Sequence, residues 1–102
     1  MMYPVTKVYR GTGDANAALP AYAKVSKLVL INGTLSAIAS LALHDAATVT
    51  GDPVAELKCN DDGGATWTDY AEANFFPPLE LVTGGSFNVT GTGAVYYAYY
   101  SL

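Results

Sequence analysis

Several short runs of this chain alternate apolar and polar positions with a period of two, and glycine, proline or asparagine bounds most of them. That pattern marks strands separated by turns. Val5–Arg10 is rich in β-branched and aromatic residues and reads as the first strand. Residues 11–20, GTGDANAALP, read as a loop or extended arm. Val25–Ile31 places Val25, Val29 and Ile31 on one face and Leu28 and Leu30 on the other. With both faces apolar, it reads as a central strand. Asn32-Gly33 follows, a pair suited to the two positive-φ positions of a type I′ hairpin turn.

Leu35–Leu43 fits two periodicities. A helix would align Leu35, Ile38 and Ala42, and the alanine content favours it. A strand would align Leu35, Ala37, Ala39, Leu41 and Leu43. The closer period-two match and the preceding turn select the strand. Thr48–Pro53 is a polar loop, and Val54–Cys59 turns Ala55, Leu57 and Cys59 inward. Residues 60–67, NDDGGATW, are close to the turn motif called the Asp box. Asn60, Asp62, Gly64, Thr66 and Trp67 would pin a hairpin that returns along Trp67–Glu72. There Asp62 would accept turn N–H groups, Gly64 would supply the backbone freedom, and Trp67 would pack beside the turn. Phe76-Pro77-Pro78 breaks the chain. Leu79–Val82, Phe87–Val89 and Val95–Leu102 then read as a meander. The expected fold is all-β, an antiparallel β-sandwich or jelly roll of about eight short strands. Residues 1–23 would be a strand and arm, and 24–102 the sandwich core of a single domain.

At 102 residues the chain is too short for the sugar-cleaving propellers in which Asp boxes recur, since each blade takes roughly 40–50 residues. The net charge of −4, with no basic cluster, gives nucleic-acid binding no electrostatic footing. Cys59 is the one cysteine and His44 the one histidine. An internal disulfide and a usual zinc site are thereby excluded. Asp61 and Asp62 fall short of the oxygen set of a calcium loop. The start MMYPVTKVYR lacks the apolar run of a signal peptide. Val25–Leu43 is broken by Lys27 and Asn32-Gly33 and does not read as a membrane helix. The sequons at Asn32 and Asn88 read as turn or strand residues.

No catalytic constellation emerges. His44 and Asp45 are sequence neighbours and would point to opposite faces of a strand. The serines lack a nucleophile elbow, and Gly11-Thr12-Gly13 is too short for a phosphate loop. Glu56 and Asp69, if opposed across a hairpin, would be a solvated acidic pair. A non-enzymatic protein without cofactor or metal is expected. The densest aromatic cluster is VYYAYY, and no charge follows Glu80. Strand alternation sets Tyr97 and Tyr99 against Tyr96 and Tyr100, so one pair can enter the core and the other must be covered or wet. Tyrosine offers rigid contact area at low entropic cost. These four residues are the candidate subunit or partner interface.

From about Lys24 to Tyr100 the chain resembles small bacteriophage and prophage virion proteins. The resemblance rests on LVLING (28–33), LALHDA (41–46), TGDPVAEL (50–57), FPPLELVTGG (76–85) and GTGAVYYAYY (91–100). It implies a jelly-roll or β-sandwich module that decorates or cements a capsid. Such a subunit is expected to be a homotrimer, to contact the major capsid protein on the virion exterior, and to pass through the host cytoplasm during assembly. It would have no nucleic-acid or membrane partner. The alternative it implies is a tail-tip or fibre module for host-surface carbohydrate or receptor, with Trp67 and Tyr70 as an aromatic platform.

Overall fold

The computed structural model describes residues 5–33, 38–59 and 70–102. Eight strands occur among them: β1 (Lys7–Gly11), β2 (Ala15–Leu19), β3 (Lys24–Ile31), β4 (Ala39–Asp45), β5 (Ala55–Cys59), β6 (Tyr70–Glu80), β7 (Gly85–Thr90) and β8 (Val95–Ser101). They form two antiparallel four-stranded sheets, β1-β8-β3-β6 and β2-β7-β4-β5, which pack face to face as a β-sandwich. The first is called sheet A below and the second sheet B.

The pairing has a simple logic. β1 pairs with β8, β2 with β7, β3 with β6 and β4 with β5. The chain is thus one long two-stranded ribbon, folded back at β4–β5. Rolling that ribbon brings β3 beside β8 and β4 beside β7, and closes both sheets. An eight-stranded double sheet made this way is a jelly roll.

Both sheets contribute one inward set of side chains. Leu28, Leu30, Tyr96 and Ala98 from sheet A meet Leu19, Leu41, Leu43 and Phe87 from sheet B, all fully buried. Tyr9 stacks on Phe87 at 5.7 Å between ring centroids, and Phe87 tilts against Tyr96 at 4.8 Å. These rings join β1, β7 and β8 across the sandwich, in geometries that favour aromatic contact. β4 buries Ala39, Leu41 and Leu43 together, the set that strand periodicity selects over the helical one.

The structure corrects several local expectations. The presumed arm at 11–23 contains β2, an edge strand of sheet B. Its Leu19 is core, and the Asp14 carboxylate accepts the Val89 N–H at 2.8 Å. Ala17, at φ 51°, gives its N–H to Ser86 Oγ where β2 shifts register. The small polar composition that reads as a loop serves here to make an irregular edge.

Val25 lies on the inward face with Leu28 and Leu30, not with Val29 and Ile31. The reason is a bulge at Ser26. Val25 pairs with Tyr100 and Lys27 with Tyr99, so Ser26 is an extra residue and reverses the alternation. On the other side of β3, four residues of β6, Phe75 to Pro78, stand opposite Ser26. Phe76-Pro77-Pro78 therefore does not end a strand. It is a bulge within one long β6, on an edge where missing proline donors cost no ladder bonds.

Asn32-Gly33 is not a two-residue hairpin turn, because β3 and β4 lie in different sheets and neither residue has the positive φ of a type I′ turn. Glycine is needed for another reason. A β-carbon on Gly33 would sit 2.0 Å from the Gly93 carbonyl oxygen. β5 and β6 also belong to different sheets, so the expected hairpin between them is an inter-sheet connection. Its residues Asn60, Asp62, Gly64, Thr66 and Trp67, with Asp61 and Asp69, lie outside the described residues. The last third is no meander, since β6, β7 and β8 alternate between sheets.

Candidate interaction surface

The two outward faces of the sandwich differ in chemistry. On sheet A the register sets Val8, Tyr99, Lys27 and Asn74 in one row across β1, β8, β3 and β6. Arg10, Tyr97, Val29 and Glu72 form the next, and Val95, Ile31 and Tyr70 a third. Tyr97, Tyr99, Val29, Ile31 and Val95 are half-buried, while Val8 and Tyr70 are exposed. Lys27 reaches Glu72 at 3.2 Å and lies 5.8 Å from the centre of the Tyr99 ring. So exposed a pair adds little stability, but it fixes the polar edge of an aromatic and aliphatic face. The outward face of sheet B carries Ser40, Ala42, Glu56, Lys58, Asn88 and Thr90 instead. There the Ser40 and Thr90 hydroxyls are 2.5 Å apart.

Of the four tyrosines of β8, two reach the outer face. Tyr97 and Tyr99 do, in the middle of sheet A. Tyr96 is fully buried and Tyr100 packs inward against the core, so neither belongs to an outer interface. The Tyr96 hydroxyl donates to the Gly13 carbonyl at 2.8 Å. Burial first, then the neighbouring Tyr9 and the Asp14 charge, push its phenol far above the ordinary value of 10.0. β8 is not an edge either, since β1 and β3 hydrogen-bond both its sides. The hazard of an uncharged tyrosine strand on an edge does not arise.

The polar groups set aside at the sequence level have structural work. His44 is buried, with Nδ1 3.2 Å from the Thr50 carbonyl oxygen. The Asp45 carboxylate accepts N–H groups of Val82, Thr83 and Gly84 at 2.8–3.3 Å. Desolvation pushes its carboxyl up, but those three donors outweigh it and hold the group below the usual 3.8. Ser86 Oγ accepts from Ala17 N–H and donates to the Ala46 carbonyl, so it serves two loops at once. Gly11 ends β1 against the Tyr96 ring, which a β-carbon there would strike at 2.2 Å. Cys59 is a buried thiol whose Sγ lies 3.5 Å from the Leu30 carbonyl. Glu56 stands on the outward face of sheet B, cross-strand from Ala42. Among the described residues no three His, Cys, Asp or Glu side chains gather as metal ligands would.

Sequence reasoning missed the clasps made by Asp14, Asp45 and Ser86, since each joins segments 37 to 75 residues apart. Only the local turn signals, the Asp-Ala step after β4 and the Gly-Gly pair before β7, could have hinted that both ends needed anchoring.

The described residues thus define a jelly-roll β-sandwich with one aromatic and one polar outer face. No family model matches this chain, and no curated protein does.

Proposed function

We propose that this protein is a non-enzymatic virion structural protein, a decoration or cement subunit that binds the outside of a phage head shell. It assembles with itself, as a trimer, and its other partner is the major capsid protein. The observation that carries the reading is the outer face of sheet A, where Tyr97 and Tyr99 sit among valine and isoleucine on the paired centre of a sheet. A rigid face of that kind suits a protein interface. The motifs that carry the virion-protein resemblance also fall at strand ends. LALHDA and FPPLELVTGG are tied together by Asp45, which holds the Val82–Gly84 turn. Such a pattern specifies a scaffold, as a protein working by attachment requires. Attachment favours the assembled shell by mass action.

The test offers the labelled protein to undecorated expanded shells and to intact host cells at equal concentration. The expected result is saturable binding to shells at a fixed copy number. Tyr97→Ser with Tyr99→Ser is expected to weaken it at least tenfold while the protein remains folded by circular dichroism. Binding to cells alone would overturn the proposal and give the protein an adsorption role at a tail tip or fibre, with Tyr70 on the same face as the next residue to change.

A further inference from the structure

Among the described residues the two sheets end in β1, β6, β2 and β5. An edge strand presents unpaired N–H and C=O groups, and proteins blunt such edges against pairing with other chains. Three of the four are blunted. β1 carries Lys7 and Arg10, both exposed, and no acid, so two copies of it would repel. β6 carries Pro77-Pro78 and the excursion opposite Ser26. β2 is broken by its register shift and by Ala17 at φ 51°. β5 differs. It pairs with β4 from Ala55 to Cys59 without a shift, and it holds neither proline nor glycine.

The charges of β5 have no match on their own sheet. Glu56 and Lys58 are exposed on its outward face, and β4 sets only Ala42 and Ser40 opposite them. Neither has an ion-pair partner among the described residues, where Lys27 and Glu72 form the salt bridge. Leu57, between them, packs towards the core yet is only half-buried, and no described strand lies beyond it.

We infer that β5 of one copy pairs antiparallel with β5 of a second copy of this chain, across a two-fold axis at Leu57. In that register Glu56 of each copy stands opposite Lys58 of the other, so the contact is made twice. Leu57 meets its own counterpart on the inner face. Opposite charges directly across a strand pair stabilise it, and like charges destabilise it. The neighbouring registers that keep the same faces are centred on Glu56 or on Lys58, and each opposes like charges. The order of charges along β5 thus selects the Leu57 register. Such a strand is self-complementary, as a two-fold contact requires, and it makes one continuous sheet from two copies of sheet B. The inference goes beyond the virion reading and does not rest on it. The contact leaves the outer face of sheet A free. Where a trimer forms through another surface, the same contact joins one trimer to the next.

The test is the mass in solution, by sedimentation across a wide concentration range. It compares the wild type, Glu56→Lys, Lys58→Glu and the double exchange that carries both changes. Both side chains are exposed, so every variant is expected to stay folded by circular dichroism. The wild type should reach at least twice the mass of the single variants, reversibly. Each single variant opposes like charges at both ends of the contact and should pair at least tenfold more weakly. An equimolar mixture of the two restores both opposite-charge contacts and should pair as the wild type does. So should the double exchange, which keeps the net charge at −4 and reverses only the order of the two residues. A wild type no heavier than the single variants at any concentration would overturn the inference. So would a single variant that pairs like the wild type, or a folded mixture or double exchange that fails to pair.

Discussion

Adjacent residues of β8 should respond very differently to the same change. Tyr96 is fully buried between Tyr9 and Phe87, with its hydroxyl on the Gly13 carbonyl. Tyr97 faces outward beside Val29. Tyr96→Ala removes a buried ring and leaves a cavity, a loss of about 3–5 kcal/mol. That is a large share of the roughly 5–15 kcal/mol that holds a domain of this size. Tyr96→Phe keeps the ring but leaves the Gly13 oxygen without its donor, at about 1 kcal/mol, or about 4–8 °C in Tm. Tyr97→Ala should cost about 1 kcal/mol or less, as outward positions do. Thermal and urea unfolding followed by circular dichroism read all three. Alkaline pH gives an independent check. Burial raises the Tyr96 phenol above its unfolded value of 10.0, so its contribution is intact below that pH and is lost as pH climbs towards the folded value. Wild-type stability should fall more steeply above about pH 10 than that of Tyr96→Phe. Equal losses for Tyr96→Ala and Tyr97→Ala, or identical alkaline profiles for wild type and Tyr96→Phe, would refute the assignment of inner and outer faces.

Three further outcomes follow from the clasps and close approaches. Asp45→Ala strips three N–H groups of their acceptor and should cost about 1–3 kcal/mol at neutral pH. Because the folded carboxyl titrates below 3.8, its contribution is present above that pH and lost as pH falls through the folded value. The gap between wild type and variant in urea should accordingly close in acid. Gly33→Ala drives a β-carbon onto the Gly93 carbonyl and should lower Tm by several degrees. A neutral result in calorimetry would show that the two loops do not approach as described. Asp14→Ala releases the Val89 N–H and should speed amide exchange in β2 and at Val89 while leaving β3 and β8 protected. Uniform loss of protection would show that β2 does not open by itself.

Much of this protein was legible in its residues. Strand propensity, period-two alternation and turn signals together identified β1, β3, β4, β5, β7 and β8, and alternation chose strand over helix for β4 where alanine argued otherwise. Alternation follows from local backbone geometry, so it needs no knowledge of neighbours. It also separated the β8 tyrosines into two pairs. What it left open was which pair goes in, because that depends on what lies across the sandwich. Phe87 and Tyr9 decide it, since both rings pack in tilted contact against Tyr96. Tertiary structure likewise decided the parity of Val25, since the bulge at Ser26 is seen only in the pairing of β3 with β8 and with the four-residue excursion of β6. It decided the use of Gly33, a glycine demanded by a loop 60 residues away rather than by a turn of its own. Above all it decided the pairing. Local turn signals led to hairpins and a meander, whereas β4–β5 is the one pair of strands consecutive in the chain that hydrogen-bond to each other among those described. Turn residues report where a chain reverses. Which sheet it enters next depends on rolling the whole ribbon around a shared core, a property of all eight strands together.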